Sequence, residues 1–284
     1  MYTGTQAYRL GLIGYPLGHS LSPRIHAASL KACRLEGDYA LYPIAPNDLY
    51  GLKQLLNKLR IGELHGLNVT IPHKQNVIEY LDELTPTAKA IGAVNTIYFR
   101  DGKLIGENTD APGFITDLKH FIAESQSKIV NQKSAIVLGA GGSARAVVFA
   151  LLDDGWQVTI AARRLDQARQ LALSFPNYAV RTMQYEDFRP ATFNLLVNTT
   201  PLGMTPDIDS SPLPEDFSFP PHTAVYDLVY NPHETKLVRA ARAQGLLAAN
   251  GLGMLVEQAA LAFEIWTGRF PSRDVLRRSV EADF

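Results

Sequence analysis

Short apolar runs alternate along the chain with longer segments in which apolar residues recur every three or four positions, the patterns of buried strands and amphipathic helices. Arg9 to Ile13 reads as a strand closed by Gly14, Tyr15 and Pro16, and Pro23 to Ala32 as the helix that follows. Asp38 to Ile44 predicts a second strand. Leu49 to Leu59 predicts a helix with Leu52, Leu55, Leu56 and Leu59 on one face, and Gly66 to Ile71 a third strand stopped by Pro72. The alternation argues for a layered α/β domain with a largely parallel sheet. Ala93 to Arg100 and Lys103 to Gly106 flank Asp101-Gly102, the strongest short hairpin signal in the chain.

Glu107 to Pro112 leads into a helical pattern through Phe114, Ile115, Leu118 and Phe121, and polar Ser125 to Lys133 follows. A second alternating series then begins, with strands predicted at Ala135 to Leu138, Gln157 to Ala161, Tyr178 to Thr182, Leu195 to Asn198 and Ala224 to Asp227. Helices separate its early strands, a doubly wound pattern. Met254 to Thr267 is helical and apolar on most sides, so it must be buried. The predicted division is a first α/β domain over 1–110 and a doubly wound domain over 111–250. C-terminal helices over 251–284 are expected to pack back on the first domain, with the helix after Asp110 as connector.

Composition narrows the function. The 284 residues, 46% hydrophobic and 19% charged, suffice for two modest cores. Lys+Arg 27 against Asp+Glu 28 gives a net charge of -1, which supplies no overall positive field for nucleic acid or an anionic membrane, so neither is an expected partner. The one cysteine, Cys33, rules out an intrachain disulfide and a thiolate-rich zinc site, and the histidines show no paired ligand spacing, so no metal is expected. No run approaches the ~18 apolar residues of a membrane span, and no charged segment precedes an apolar block at the start. A cytoplasmic protein is the expectation.

Gly139-Ala140-Gly141-Gly142-Ser143-Ala144 fits G-x-G-x-x-G/A, directly after an apolar strand and at the start of a predicted helix. The glycines permit a tight turn and close approach of a pyrophosphate, whose charge meets the helix N-terminus. An ordinary glycine turn is the bland alternative; placement in a βαβ unit makes the Rossmann-like reading the better one. Where an NAD site tends to carry an acidic residue for the ribose, this chain has Ala161-Ala162-Arg163-Arg164. Two guanidinium groups attract a 2′-phosphate, so the expected cofactor is NADP, with Asp166 nearby as the opposing charge.

Nicotinamide chemistry needs a second group to move the proton on oxygen. None of the tyrosines has Lys four residues on, the arrangement of short-chain reductases, and zinc is set aside above. A Lys or His remains as acid and base. The first domain carries a dense polar set: Gly14 to Pro23 (GYPLGHSLSP), Asn68 to Lys74 (NVTIPHK), Gly92 to Thr96 (GAVNT) and Gly106 to Asp110 (GENTD). Together with Gly139 to Arg145 and Asn250 to Gln258 (NGLGMLVEQ), these segments resemble the shikimate dehydrogenase family over essentially the whole chain.

The resemblance implies NADPH-dependent reduction of 3-dehydroshikimate to shikimate, with the first domain binding substrate and the doubly wound domain binding NADP. It implies that Lys74 and Asp110 form the catalytic pair, that Ser20 and Ser22 bind the substrate carboxylate, and that Thr70, Asn95, Asp110 and Gln258 hold ring hydroxyls with Tyr230 nearby. The dinucleotide would lie on Gly139, Ala140, Gly141, Gly142, Ser143 and Leu228, with Arg163 and Arg164 at the 2′-phosphate and Gly251 near the nicotinamide. The partners implied are small molecules, with a monomer or homodimer as assembly. The chain departs from the family pattern at Ala162 and Arg164, where Asn and Thr are frequent, and at Asn250, where Asp is frequent.

Each residue also has a plain structural reading. Lys74 could be a solvated surface lysine, Asp110 a helix cap, Ser22 the cap of the first helix, Thr70 a strand former and Asn95 a satisfier of buried backbone. His19 and His26 are expected to be satisfied structural side chains. Tyr230 and Gln258 would otherwise rank as core or helix-face residues. The rival functions are a quinate/shikimate dehydrogenase with relaxed substrate or NAD use and a shikimate-sensing regulator without turnover, the latter opposed by Lys74 and Asp110 and by the lack of a basic stripe.

Overall fold

The apolar run after Arg9 becomes β1 (Tyr8–Gly14), whose last five residues are buried. It is flanked on both sides by parallel neighbours, β2 (Gly37–Pro43) and β3 (Gly66–Val69). The computed structural model describes residues 7–124, 133–187 and 193–281, divided between two units: Met1–Thr109 with Val256–Phe284, and Asp110–Leu255. The polar stretch expected at 125–133 lies outside the described residues except for Lys133.

In the first unit β4 (Glu83–Leu84), β5 (Thr96–Arg100) and β6 (Lys103–Glu107) complete a sheet of order β2-β1-β3-β5-β6-β4. The sheet is mixed rather than largely parallel, because β5 runs antiparallel to both β3 and β6. The cause is local at one end: Asp101 and Gly102, at φ 52 and φ 79, close a two-residue hairpin between paired Arg100 and Lys103, and such a turn joins only antiparallel strands. β3 stops at Val69, two residues before the expected end, since the Thr70 carbonyl turns to accept the His73 N–H at 2.9 Å.

Helices cover both faces. α1 (Ser22–Ala32) follows β1, and α2 (Leu49–Arg60) starts at Asp48, whose carboxylate caps Gly51 N–H at 2.8 Å. α2 brings Leu52, Leu55, Leu56 and Leu59, the predicted face, onto Ile13, Leu67, Val69, Ile97 and Leu104 of the sheet. Between β3 and β5 lie α3 (His73–Asn76), a 3-10 turn over Val77–Tyr80, and α4 (Pro86–Ile91), ended by left-handed Gly92. On the other side Leu10 and Leu30 pack with Ala262, Phe263 and Trp266. Gly66 lets the Trp266 indole lie against the strand, since a Cβ there would stand 2.4 Å from it. The Trp266 N–H donates to the Ile97 carbonyl at 3.2 Å.

The second unit opens with α5 (Asp110–Glu124). It then builds an all-parallel sheet from β7 (Ser134–Leu138), β8 (Gln157–Ala162), β9 (Arg181–Gln184), β10 (Leu195–Asn198), β11 (Ala224–Asp227) and β12 (Leu247–Ala249). The order is β12-β11-β10-β7-β8-β9, the doubly wound arrangement in which the order reverses between β7 and β10. α6 (Gly142–Asp153), α7 (Leu165–Leu173) and α8 (Lys236–Ala243) are its crossovers among the described residues. The strand expected over 178–182 forms at Arg181–Gln184, and β12, three residues long, left no separate signal in the pattern. α9 (Leu252–Thr267) and α10 (Arg273–Glu281) close the chain, with α10 against α1. Among the described residues no helix is long and apolar enough to cross a membrane, and no cluster of His, Cys, Asp and Glu could hold a metal ion.

Candidate active site

In the first unit the polar segments converge on one edge of the sheet. The loops after parallel β1 and β3 run side by side, joined by Tyr15 N–H to Ile71 O at 2.9 Å, and a Cβ on Gly14 would collide with the Thr70 methyl at 2.3 Å. That places Ser20, Ser22, Thr70 and Lys74 at the C-terminal ends of neighbouring strands. Because β5 is antiparallel to β3, Asn95, which precedes β5, belongs to the same edge. Two bonds tie it in: Val94 N–H to Lys74 O at 2.7 Å and Val69 N–H to Asn95 O at 2.8 Å. Lys74 is buried, 9% exposed, which removes the solvated-lysine reading. Asp110, the first residue of the second unit, is buried as well. Ser22 is not the cap of α1. Leu21 is the capping residue with no side-chain bond, and the Ser20 hydroxyl instead accepts the Ser22 N–H at 3.2 Å.

Asn95 is a junction. Its Oδ1 accepts the Thr109 N–H at 2.7 Å and the Thr96 hydroxyl at 3.1 Å, while Nδ2 donates to Thr109 Oγ1 at 2.9 Å and to Gln258 Oε1 at 3.4 Å. Behind it stands Asn68, whose Nδ2 donates to the Asn95 carbonyl at 3.1 Å and to Thr96 Oγ1 at 3.3 Å. Asn68 Oδ1 accepts the Tyr39 hydroxyl at 2.8 Å and His26 Nε2 at 3.2 Å. An amide oxygen only accepts, so Nε2 carries the imidazole proton. His26 is fully buried, stacked on Tyr39 with ring centroids 4.3 Å apart, and its Nδ1 has no hydrogen-bond partner among the described residues. It is therefore only half satisfied, against expectation, and burial pulls it down to about 3, with the Asn68 bond a weaker upward pull. His19, by contrast, is exposed.

In the second unit Gly139 adopts φ 106 and sits so close to Thr199 that a Cβ would lie 2.7 Å from its hydroxyl. Gly141 caps α6 without a side-chain bond, and the space its Cβ would take is open. This cradle of backbone N–H groups at a twelve-residue helix N-terminus suits a pyrophosphate. Arg163 and Arg164 are both exposed after β8, and Asp166, in the first turn of α7, forms no ion pair with either among the described residues. Further along the sheet Gly251 is pressed on the chain after β11: a Cβ would stand 2.1 Å from Leu228 O, and Gly251 N–H donates to Val229 O at 3.2 Å. Tyr230 is half-buried on that same loop.

Three family models match the chain in order: the shikimate dehydrogenase substrate binding domain over residues 12–97, shikimate / quinate 5-dehydrogenase over 121–197, and the shikimate 5′-dehydrogenase C-terminal domain over 251–281. A shikimate dehydrogenase (NADP(+)) of Shouchella clausii is 39% identical over 274 residues, 96% of this chain and 97% of that protein. The chain belongs to the shikimate dehydrogenase family. Shikimate 5-dehydrogenase of Thermus thermophilus, solved with NADP(H) and shikimate, superposes with a TM-score of 0.84 at 38% identity, over 98% of this chain and 100% of that one. Quinate dehydrogenase of Corynebacterium glutamicum, solved with NAD, superposes with a TM-score of 0.87 at 31% identity, over 97% and 99%.

Within this family member, the structure joins Asn95 to Gln258 directly and sets Ser20, Ser22, Thr70 and Lys74 along the same sheet edge. Gly139 to Ser143, Arg163, Arg164, Leu228, Tyr230 and Gly251 all lie in the second unit. The sequence motifs include Asn68 without a role for it, and Asn198 and Asp227 enter only as strand ends, with Thr235 in no predicted element. The signal was present: Leu195–Asn198 and Ala224–Asp227 are apolar strands that each end in one fully buried polar residue.

Proposed function

We propose that the protein is a shikimate dehydrogenase, reducing 3-dehydroshikimate reversibly to shikimate with NADPH on the route to chorismate and the aromatic amino acids. The observation that carries this reading is Lys74, a buried lysine on a sheet edge otherwise furnished with hydroxyls and amides. The unit of residues 1–109 with 256–284 takes the substrate, and the unit of residues 110–255, which includes Gly251, takes the dinucleotide. Bound NADPH supplies the hydride that reduces the carbonyl carbon. The chain's own part is the proton: the Lys74 ammonium donates to the ketone oxygen as charge develops there, and the Asp110 carboxylate orients both lysine and nascent hydroxyl.

Ser20 and Ser22 donate to the substrate carboxylate, and Thr70, Asn95, Gln258 and Tyr230 fix the ring hydroxyls. The Asn95 to Gln258 bond, at 3.4 Å, is the long member of the set, so this amide hydrogen turns to a ring hydroxyl at least cost. Gly139 to Ser143 cradle the pyrophosphate, and Arg163 and Arg164, unopposed by Asp166, favour the 2′-phosphate of NADP over NAD. Leu228 and Gly251 shape the nicotinamide end. The single cysteine fits a cytoplasmic enzyme, acting as monomer or homodimer.

The test is the nicotinamide absorbance change with shikimate and quinate, each paired with NADP and NAD. Rapid reduction confined to shikimate with NADP is expected. Comparable rates with quinate or NAD would shift the reading to a quinate/shikimate dehydrogenase, and silence in all four pairings would replace it with a binding protein that does not turn over.

A further inference from the structure

β10, β11 and β12 are neighbours in the second sheet, all parallel, so the loops that leave their C-terminal ends emerge together. The middle strand ends in Asp227, fully buried, and its carboxylate reaches several of the segments that leave this edge. Oδ1 accepts Asn198 Nδ2 at 2.9 Å and the Val229 N–H at 3.0 Å, and Oδ2 accepts the Thr235 hydroxyl at 2.7 Å.

Each partner extends the grip. Asn198 ends β10, and its own Oδ1 accepts the Thr200 N–H at 3.0 Å and the Thr200 hydroxyl at 2.7 Å, ordering the first turn after that strand. Val229 accepts the Gly251 N–H through its carbonyl, and Gly251 in turn has no room for a side chain against Leu228. Thr235 caps α8 by accepting the Val238 N–H at 3.2 Å. One side chain therefore sets the position of the chain after β10, of Leu228 to Tyr230 after β11, and of Gly251 after β12.

We propose that Asp227 is the positioning residue for the nicotinamide half of the dinucleotide, acting through Asn198, Val229 and Thr235 without touching the ligand itself. The inference rests on the functional reading above and deepens it. The glycine cradle follows β7 and the arginines follow β8, both on the far side of β10 from Asp227, so the adenosine half of the ligand is held by other means. A carboxylate is also costly here: burial pushes Asp227 up to about 6, although Thr235, the Val229 N–H and Asn198 pull the other way. The amide of asparagine would serve the same geometry, with its oxygen accepting from Asn198 and Val229 and its nitrogen donating to Thr235 Oγ1.

The experiment compares the parent full-length chain with Asp227→Ala and Asp227→Asn, titrating NADPH by its fluorescence and adenosine 2′,5′-bisphosphate by calorimetry, with urea melts alongside. Asp227→Ala is expected to weaken NADPH at least tenfold and to leave the bisphosphate within twofold, while Asp227→Asn recovers NADPH binding to within threefold. Equal weakening of both ligands, no weakening of either, or no recovery with asparagine overturns the inference. If Asp227→Ala does not fold, Asn198→Ala removes one arm of the same clamp, and the same selective loss, at least threefold, is required. A parent chain that turns over shikimate yet shows no such selectivity in the variants fails the clamp alone; one that binds no NADPH fails the functional reading and the clamp together.

Discussion

The two units bury polar groups at the edges of their sheets with different chemistry. In the first, Asn68 and Asn95 are the junctions; in the second, a carboxylate, Asp227, is the junction. The groups each junction must satisfy account for the difference. Where β5 meets β3 antiparallel, carbonyls and N–H groups both face the edge, and an amide serves both: Asn68 donates to Asn95 O, and Asn95 accepts from Thr109 N–H. Past the ends of parallel β10 and β11 the groups to be satisfied are donors, namely Val229 N–H, the Asn198 amide and the Thr235 hydroxyl, and a carboxylate only accepts. The two junctions also differ in the titratable group they involve: His26, beside Asn68, is displaced downward and Asp227 upward.

The largest effect separates the chemistry from both frameworks. Lys74→Ala should lower turnover by roughly 10²–10⁴ with a smaller change in substrate binding. Steady-state kinetics beside a thermal melt would show it, and near-normal turnover would remove Lys74 from the proton transfer.

His26 comes next. Its folded value lies below the ordinary 6.5, so the stability it contributes is complete above about pH 6.5 and is lost as pH falls toward 3, by up to about 5 kcal/mol. Urea melts from pH 7 to 4 should show His26→Gln gaining on the parent as the solution is acidified; a constant difference would mean that the imidazole is not held neutral.

Asn68→Leu, with the same number of side-chain heavy atoms, removes the bonds to the Asn95 carbonyl, to the Thr96 and Tyr39 hydroxyls and to buried His26 Nε2, and should cost about 3 kcal/mol in the same melts. A loss under about 1 kcal/mol would show that the amide is no junction.

Asp227 reverses the sign of the His26 effect at about the same scale as Asn68→Leu. Its raised value means that the stability present below the ordinary 3.8 is lost as pH rises through about 6, again by about 3 kcal/mol. Between pH 4 and 6 Asp227→Asn should therefore gain on the parent as pH rises, where His26→Gln gains as pH falls. Parallel slopes for the two variants would dissolve the contrast between the units. Smallest, and confined to the second unit, replacing Arg163 and Arg164 by serine should raise the KM for NADP roughly tenfold and leave that for NAD unchanged.

Much of this is legible in the sequence. The helix face of Leu52, Leu55, Leu56 and Leu59, the Asp101-Gly102 turn and the strand, glycine turn and helix around Gly139 are readable because each depends on residues a few positions apart. The mixed direction of the first sheet is not, since the pairing of Leu67 with Ile97 spans a stretch of chain with no periodic signal of its own. That Leu21 rather than Ser22 caps α1 is hidden for a related reason: cap preferences rank residue types, and here the capping position fell to a residue whose side chain makes no bond.

The sequence by itself determined the local elements, the glycine cradle, the arginine pair after β8 and the motif set that resembles the family, because period, turn chemistry and charge are properties of neighbours in the chain. Only the tertiary structure decided which polar residues became junctions. Asn68 meets His26 and Asn95, and Asp227 meets Asn198 and Thr235, across separations that no local pattern encodes.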